Sequence, residues 1–173
     1  LMHDCRAEGV VGNLIRIKTS DRKGAYIENV VASNIVANCV VGAVADIRTD
    51  VNYQWEHYPA RERIVTRIRG FHVSNVRCAE AGSVCSLRGD ARLPAQDVSV
   101  RDIDVGKILK TPFDVTNVVG FVREDVRIAP DPNDRVKLGV YRTINTERMS
   151  SEPRAKGVVW TEGHCSDETL ARL

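Results

Sequence analysis

Apolar and polar residues alternate along most of this chain, or apolar residues run in short Val/Ile stretches, and helical periodicity is scarce. A period of two puts every second side chain on one face of an extended strand, so the pattern predicts an all-β protein. One phrase recurs: an apolar-polar alternation, then Asn or Asp, then Ile or Val. It reads Tyr26-Ile27-Glu28-Asn29-Val30-Val31-Ala32-Ser33-Asn34-Ile35 and returns as Ile68-Arg69-Gly70-Phe71-His72-Val73-Ser74-Asn75-Val76. It comes again as Val98-Ser99-Val100-Arg101-Asp102-Ile103 and, more weakly, as Val122-Arg123-Glu124-Asp125-Val126-Arg127-Ile128. His3-Asp4-Cys5 reads as the tail of an earlier copy.

With Asp4, Asn34, Asn75, Asp102 and Asp125 as markers, the steps are 30, 41, 27 and 23 residues. Units of that size cannot bury an apolar face alone and must stack on their neighbours, which favours a solenoid of about five coils over an antiparallel sandwich. Asn or Asp at a turn tolerates left-handed backbone geometry, and stacked copies can share side-chain hydrogen bonds. The longest step implies an inserted loop, for which residues 52–63 are the candidate. Beyond Pro130-Asp131-Pro132-Asn133 the phrase stops. Residues 1–130 are therefore read as stacked coils and residues 131–173 as a tail or a cap over the open end, with one or two helical turns expected behind Ser166.

Composition narrows the classes. The 173 residues suffice for one domain with a real core. Hydrophobic residues at 43% and charged residues at 28% are ordinary globular values. The 25 Lys and Arg against 23 Asp and Glu leave a net charge of +2, unlike the concentrated positive charge of a nucleic-acid binder. Aromatics, at 5%, are too few for extended stacking platforms. The most apolar stretch, residues 35–45, is interrupted by Asn38 and is short of the roughly 20 residues that span a bilayer. The opening residues show no basic region followed by an apolar one, so no signal peptide is read there. Cys5, Cys39, Cys78, Cys85 and Cys165 are odd in number and form no CxxC pair, which leaves buried thiols or one or two disulfides open and disfavours zinc. No metal or other cofactor is expected.

Candidate chemistry begins with Leu14-Ile15-Arg16-Ile17-Lys18-Thr19-Ser20. On a strand, Arg16 and Lys18 share a face about 7 Å apart. Two such cations repel unless something anionic lies across them. A solvated strand face and an anion clamp are both open; for a clamp, Arg offers a planar fork for a carboxylate and Lys a point charge.

The stretch from Asp4-Cys5 to Ile35 resembles the polygalacturonases of glycoside hydrolase family 28. The resemblance is carried by Arg16-Ile17-Lys18-Thr19, a turn with Gly24, Tyr26-Ile27-Glu28-Asn29-Val30 and Ser33-Asn34-Ile35. The Arg-Ile-Lys triplet is a signature of that family, and a tyrosine further on is another, with Tyr53 at that place here. Residues 68–76, 98–103 and 112–126 look like the family's last coils. The resemblance implies a right-handed parallel β-helix that cleaves pectin, an α-1,4-galacturonan, with inversion, in which aspartates supply the general acid and activate water. It makes Arg16, Lys18 and Tyr53 substrate-binding residues for a galacturonan carboxylate. It also implies secretion to the wall or the periplasm.

The chain departs from the family as well. The family's Asn-Thr-Asp, Asp-Asp and Gly-His-Gly motifs, which lie ahead of the triplet, are not in this sequence, and neither Asp4 nor Asp21 is their equivalent. No catalytic residue is assigned. The expectation is the C-terminal part of such an enzyme, inactive without its catalytic half or a second chain that supplies it. Leu14 also stands where the family has glycine. The alternative is a non-catalytic β-solenoid, either one that binds acidic polysaccharide or a purely structural one. His3, His57, His72 and His164 have no metal spacing, His164-Cys165-Ser166-Asp167 is only a sequence adjacency, and Gly9-Val10-Val11-Gly12 is no phosphate loop. The rings of Tyr53-Gln54-Trp55-Glu56-His57-Tyr58 suit either a sugar face or loop packing.

Overall fold

The computed structural model describes residues 1–51, 63–129 and 143–144. Their regular elements are strands: β1 Met2–Val11, β2 Ile15–Lys18, β3 Tyr26–Arg48, β4 Arg67–Arg88, β5 Ala95–Ile108, β6 Phe113–Thr116, β7 Val118–Ile128 and β8 Thr143–Ile144. The fold is all-β, as the alternation predicts. Each strand pairing is parallel, which excludes the antiparallel sandwich. Chain order and sheet order coincide in β1-β3-β4-β5-β7. The short strands join the far halves of the long ones: β2 pairs with β3, β6 with β4, and β8 with β6. Of the stretch read as tail or cap, β8 continues the ladder at Val115↔Thr143 and Thr116↔Ile144. The helical turns expected behind Ser166, the inserted loop at residues 52–62 and Cys165 lie outside the described residues.

The recurring Asn and Asp are the key to how strands this long hold one apolar side inward. Asp4, Asn34, Asn75, Asp102 and Asp125 have φ of 55, 57, 50, 50 and 48°. A second column, five residues earlier on each strand, is Asn29, Gly70, Asp97 and Gly120, at φ 57, 70, 56 and 69°. Each left-handed residue adds one position without turning the inward face outward, as a bulge does. On β4 the buried Ile68, Phe71, Val73, Val76 and Cys78 skip Gly70 and Asn75 in this way. Ala95, Val98, Val100, Ile103 and Val105 on β5 do the same around Asp97 and Asp102. Asn and Asp are the non-glycine residues that best tolerate this conformation.

Register then stacks like on like. Cys5, Ile35, Val76, Ile103 and Val126 form one inward column, and Val30, Phe71, Val98 and Phe121 another. Each fully buried Val, Ile or Phe contributes about 1.5–3 kcal/mol. Outside, Asn75 Nδ2 donates to Asn34 Oδ1 at 2.7 Å and Asn34 Nδ2 donates to Asp4 Oδ1 at 2.9 Å. An ionised Asp has no donor to extend this ladder, so at Asp102 the Arg77 guanidinium takes over, with Nη2 3.1 Å from Oδ1.

On β7 the inward row of Ala32, Val73 and Val100 passes to Arg123, whose guanidinium carbon lies 4.8 Å from the Phe113 ring centroid. Cys5, Cys39, Cys78 and Cys85 are free thiols. Burial pushes the Cys78 thiol up to about 11, and it raises Cys85 as well.

Between the two halves of β3 and β4 stand Gly42 and Gly82. A Cβ on Gly82 would meet the Val41 carbonyl oxygen at 2.2 Å, so only glycine fits this close approach. These glycines let the chain pass from the first half of each strand to the second, where the candidate site lies.

Candidate functional site

β2 puts Ile15 and Ile17 inward, at 8% and 7% exposure, and leaves Arg16 and Lys18 on the outer face. The predicted shared face is therefore present. Register decides what stands beside it. Arg16 partners Asp46 of β3, which partners Ser86 of β4, which partners Asp114 of β6. One step along, Lys18, Arg48, Arg88 and Thr116 form the next row.

The anion required opposite the Arg16–Lys18 pair comes from the chain itself. Arg16 Nε lies 2.8 Å from Asp46 Oδ2. The Asp46 side chain is only 5% exposed. Burial holds the Asp46 carboxyl above its ordinary range, against the pull of the Arg16, Arg48 and Arg88 charges and the Ser86 hydrogen bond. Arg48 grips Asp50 with its fork, Nε to Oδ1 at 3.0 Å and Nη2 to Oδ2 at 3.1 Å. That bond to Arg48 draws the Asp50 carboxyl below its ordinary value. Arg88 Nε donates to Asp114 Oδ2 at 2.9 Å, and its Nη2 reaches the same oxygen. Lys110 Nζ donates to the Val41 carbonyl at 3.1 Å.

These side chains, apart from Asp50, border an open cleft of about 620 Å³. Arg16, Arg48, Arg88 and Lys110 line it against two carboxylates, Asp46 and Asp114, with Asn13, Ser83, Ser86 and Thr111 as neutral polar neighbours. Four cations thus line the cleft against two anions, with Asp50 beside Arg48 as a third carboxylate close by. Lys18 stands in the adjoining row, outside the cleft's lining. Tyr53 lies outside the described residues. Among the described residues, no group of three or more His, Cys, Asp or Glu side chains is placed to hold a metal ion.

Sequence reasoning singled out Arg16 and Lys18 and missed Asp46, Arg48, Arg88, Lys110 and Asp114. For Asp46 a signal was present: it follows Arg16 by 30 residues, the same step that separates Asn34 from Asp4. Arg48 to Arg88 is one residue shorter than Asn34 to Asn75, because the register slips between Val40 and Ala43. The marker steps alone would have misplaced Arg88 by one position, onto the wrong face.

No protein-family model matches this chain, and no curated protein matches it in sequence.

Proposed function

We propose that this chain is a run of coils of a right-handed parallel β-helix akin to the polygalacturonases, and that its cleft binds the carboxylates of an acidic polysaccharide of the galacturonan type. The coil reading is supported by parallel strands laid down in chain order and by two columns of left-handed residues that recur on each long strand. One observation supports the ligand: four cations face two carboxylates in a cleft built around the arginine of the Arg-Ile-Lys triplet. A pectic polymer lies outside cells, so the protein acts there.

Binding without hydrolysis by these residues is favoured over catalysis. Each cleft carboxylate already sits against an arginine, Asp46 against Arg16 and Asp114 against Arg88. An inverting pair needs one carboxyl to protonate the leaving oxygen and a second, free one to activate water, and with both carboxylates held by arginines neither stands free for the water.

Titration with oligogalacturonate at low ionic strength tests the reading. Salt-sensitive binding is expected, and Arg16→Ala is expected to abolish it. Absence of binding at low salt, or binding indifferent to Arg16→Ala, overturns the assignment. A reducing-sugar assay on polygalacturonate should show no turnover; clear turnover by the pure chain would overturn the non-catalytic part alone.

A further inference from the structure

Binding of one carboxylate by Arg16 leaves the next row unexplained. Lys18, Arg48 and Arg88 stand at partner positions on β2, β3 and β4. Neighbouring strands are about 4.8 Å apart, and like charges directly opposite one another destabilise a sheet. A row of one sign therefore costs stability unless anions answer it. The chain answers Arg48 from Asp50, whose side chain is 61% exposed, and Arg88 from Asp114 at 31%. Both carboxylates are in reach of solvent, so an incoming anion can displace them or share the guanidinium each of them holds. A guanidinium carries five N–H donors, and Asp50 engages two of those on Arg48. Arg48 and Arg88 both border the cleft, and Lys110 adds a further positive charge there.

We propose that Arg48 and Arg88 form a charge-spacing selector: a linear acidic polysaccharide lies across the strands and sets one acidic group against each strand's cation. The inference rests on the cleft being a site for an acidic polymer, and it adds the ligand's direction and the spacing of its charges. Carboxylates of a uronan and sulfates of a sulfated glycan share this chemistry. The row runs perpendicular to the strands, so its charges repeat at the strand spacing of about 4.8 Å. A ligand with widely spaced or methyl-esterified acids cannot answer consecutive cations.

The test is calorimetric titration of the full chain at low salt with oligogalacturonates of one to four units, their methyl esters, and a sulfated oligosaccharide of matched length. Affinity should rise about tenfold or more from one acidic unit to three, the size of one added charge-assisted hydrogen bond. Arg48→Gln and Arg88→Gln should each remove about tenfold from the trimer and markedly less from the monomer, so that the length dependence shrinks. Arg48→Lys, which keeps the charge, should retain the length dependence, and an unchanged circular dichroism spectrum checks that each variant folds. Affinity independent of length, or a trimer indifferent to both glutamine variants while Arg16→Ala abolishes binding, overturns the selector and leaves the galacturonan site standing. Length-dependent binding of the sulfated series alone, through Arg48 and Arg88, keeps the selector and overturns the galacturonan assignment. No binding in any series overturns both.

Discussion

Arg77, Asp104 and Arg127 sit at partner positions on β4, β5 and β7, and Lys18, Arg48 and Arg88 sit at partner positions on β2, β3 and β4. The first row alternates in sign. Asp104 is 1% exposed and takes Arg77 Nε at 2.9 Å on one oxygen and Arg127 Nη1 at 3.4 Å on the other. Arg77 also bonds the Asp102 carboxylate and the Asp102 carbonyl, so this row closes on itself. The second row repeats its sign and borrows counter-charges from the sides, from Asp50 and Asp114. The same sheet geometry thus yields a self-contained brace in one place and, in another, a row of like charge whose Arg48 and Arg88 are answered from the sides by solvent-accessible carboxylates. A brace needs nothing from solution; like charges held side by side mark where a ligand's charge would be worth most.

Substitutions separate the two rows. Asp104→Ala removes the buried carboxylate shared by two arginines, and the folded state should lose about 3 kcal/mol in denaturant melts. A loss below about 1 kcal/mol would mean that the alternating row is no brace.

Asp46 gives a smaller effect with a definite sign. Its folded carboxyl is raised above the ordinary 3.8. The folded state therefore keeps its proton longer than the unfolded state does, and stability attributable to this group falls as pH rises from about 3.8 through the folded value. Asp46→Asn is neutral at any pH, so its melts should match wild type at about pH 3 and exceed it by an amount that grows as pH rises from about 3.8 through the folded value and is constant above it. A difference between the two proteins that stays constant with pH would mean that Asp46 is not strained by burial.

Arg48→Gln should be the mildest. It relieves repulsion from its neighbours and breaks an ion pair whose acid is 61% exposed, so stability should stay within about 0.5 kcal/mol of wild type. A loss as large as that from Asp104→Ala would make the second row structural too and erase the contrast.

Much of the first half of each long strand was legible from residue order. The marker residues Asp4, Asn34, Asn75, Asp102 and Asp125 are legible because left-handed backbone restricts residue choice, and the same restriction recurs on each strand. Inward Ile35, Val76, Ile103 and Val126 follow from their places next to those markers. The second halves were less legible. Residues 43–48 and 83–88 carry no Asn marker, and the slip between Val40 and Ala43 changes the step by one. Arg123 was also hidden: it occupies an inward row that is apolar on β3, β4 and β5, and its place over the Phe113 ring comes from a separate strand.

Residue order by itself determined that the chain is all-β, that Asp4, Asn34, Asn75, Asp102 and Asp125 suit left-handed positions, and that Arg16 and Lys18 share an outer face. These are local matters of backbone sterics and of a two-residue period. Only the tertiary structure decided that Asp46 answers Arg16, that Arg48 and Arg88 extend the row begun by Lys18, and that a cleft opens over them. Those outcomes depend on register between strands distant in sequence. A shift of one residue there exchanges the inner and outer faces of a whole strand, and short-range pattern carries no information about which shift is taken.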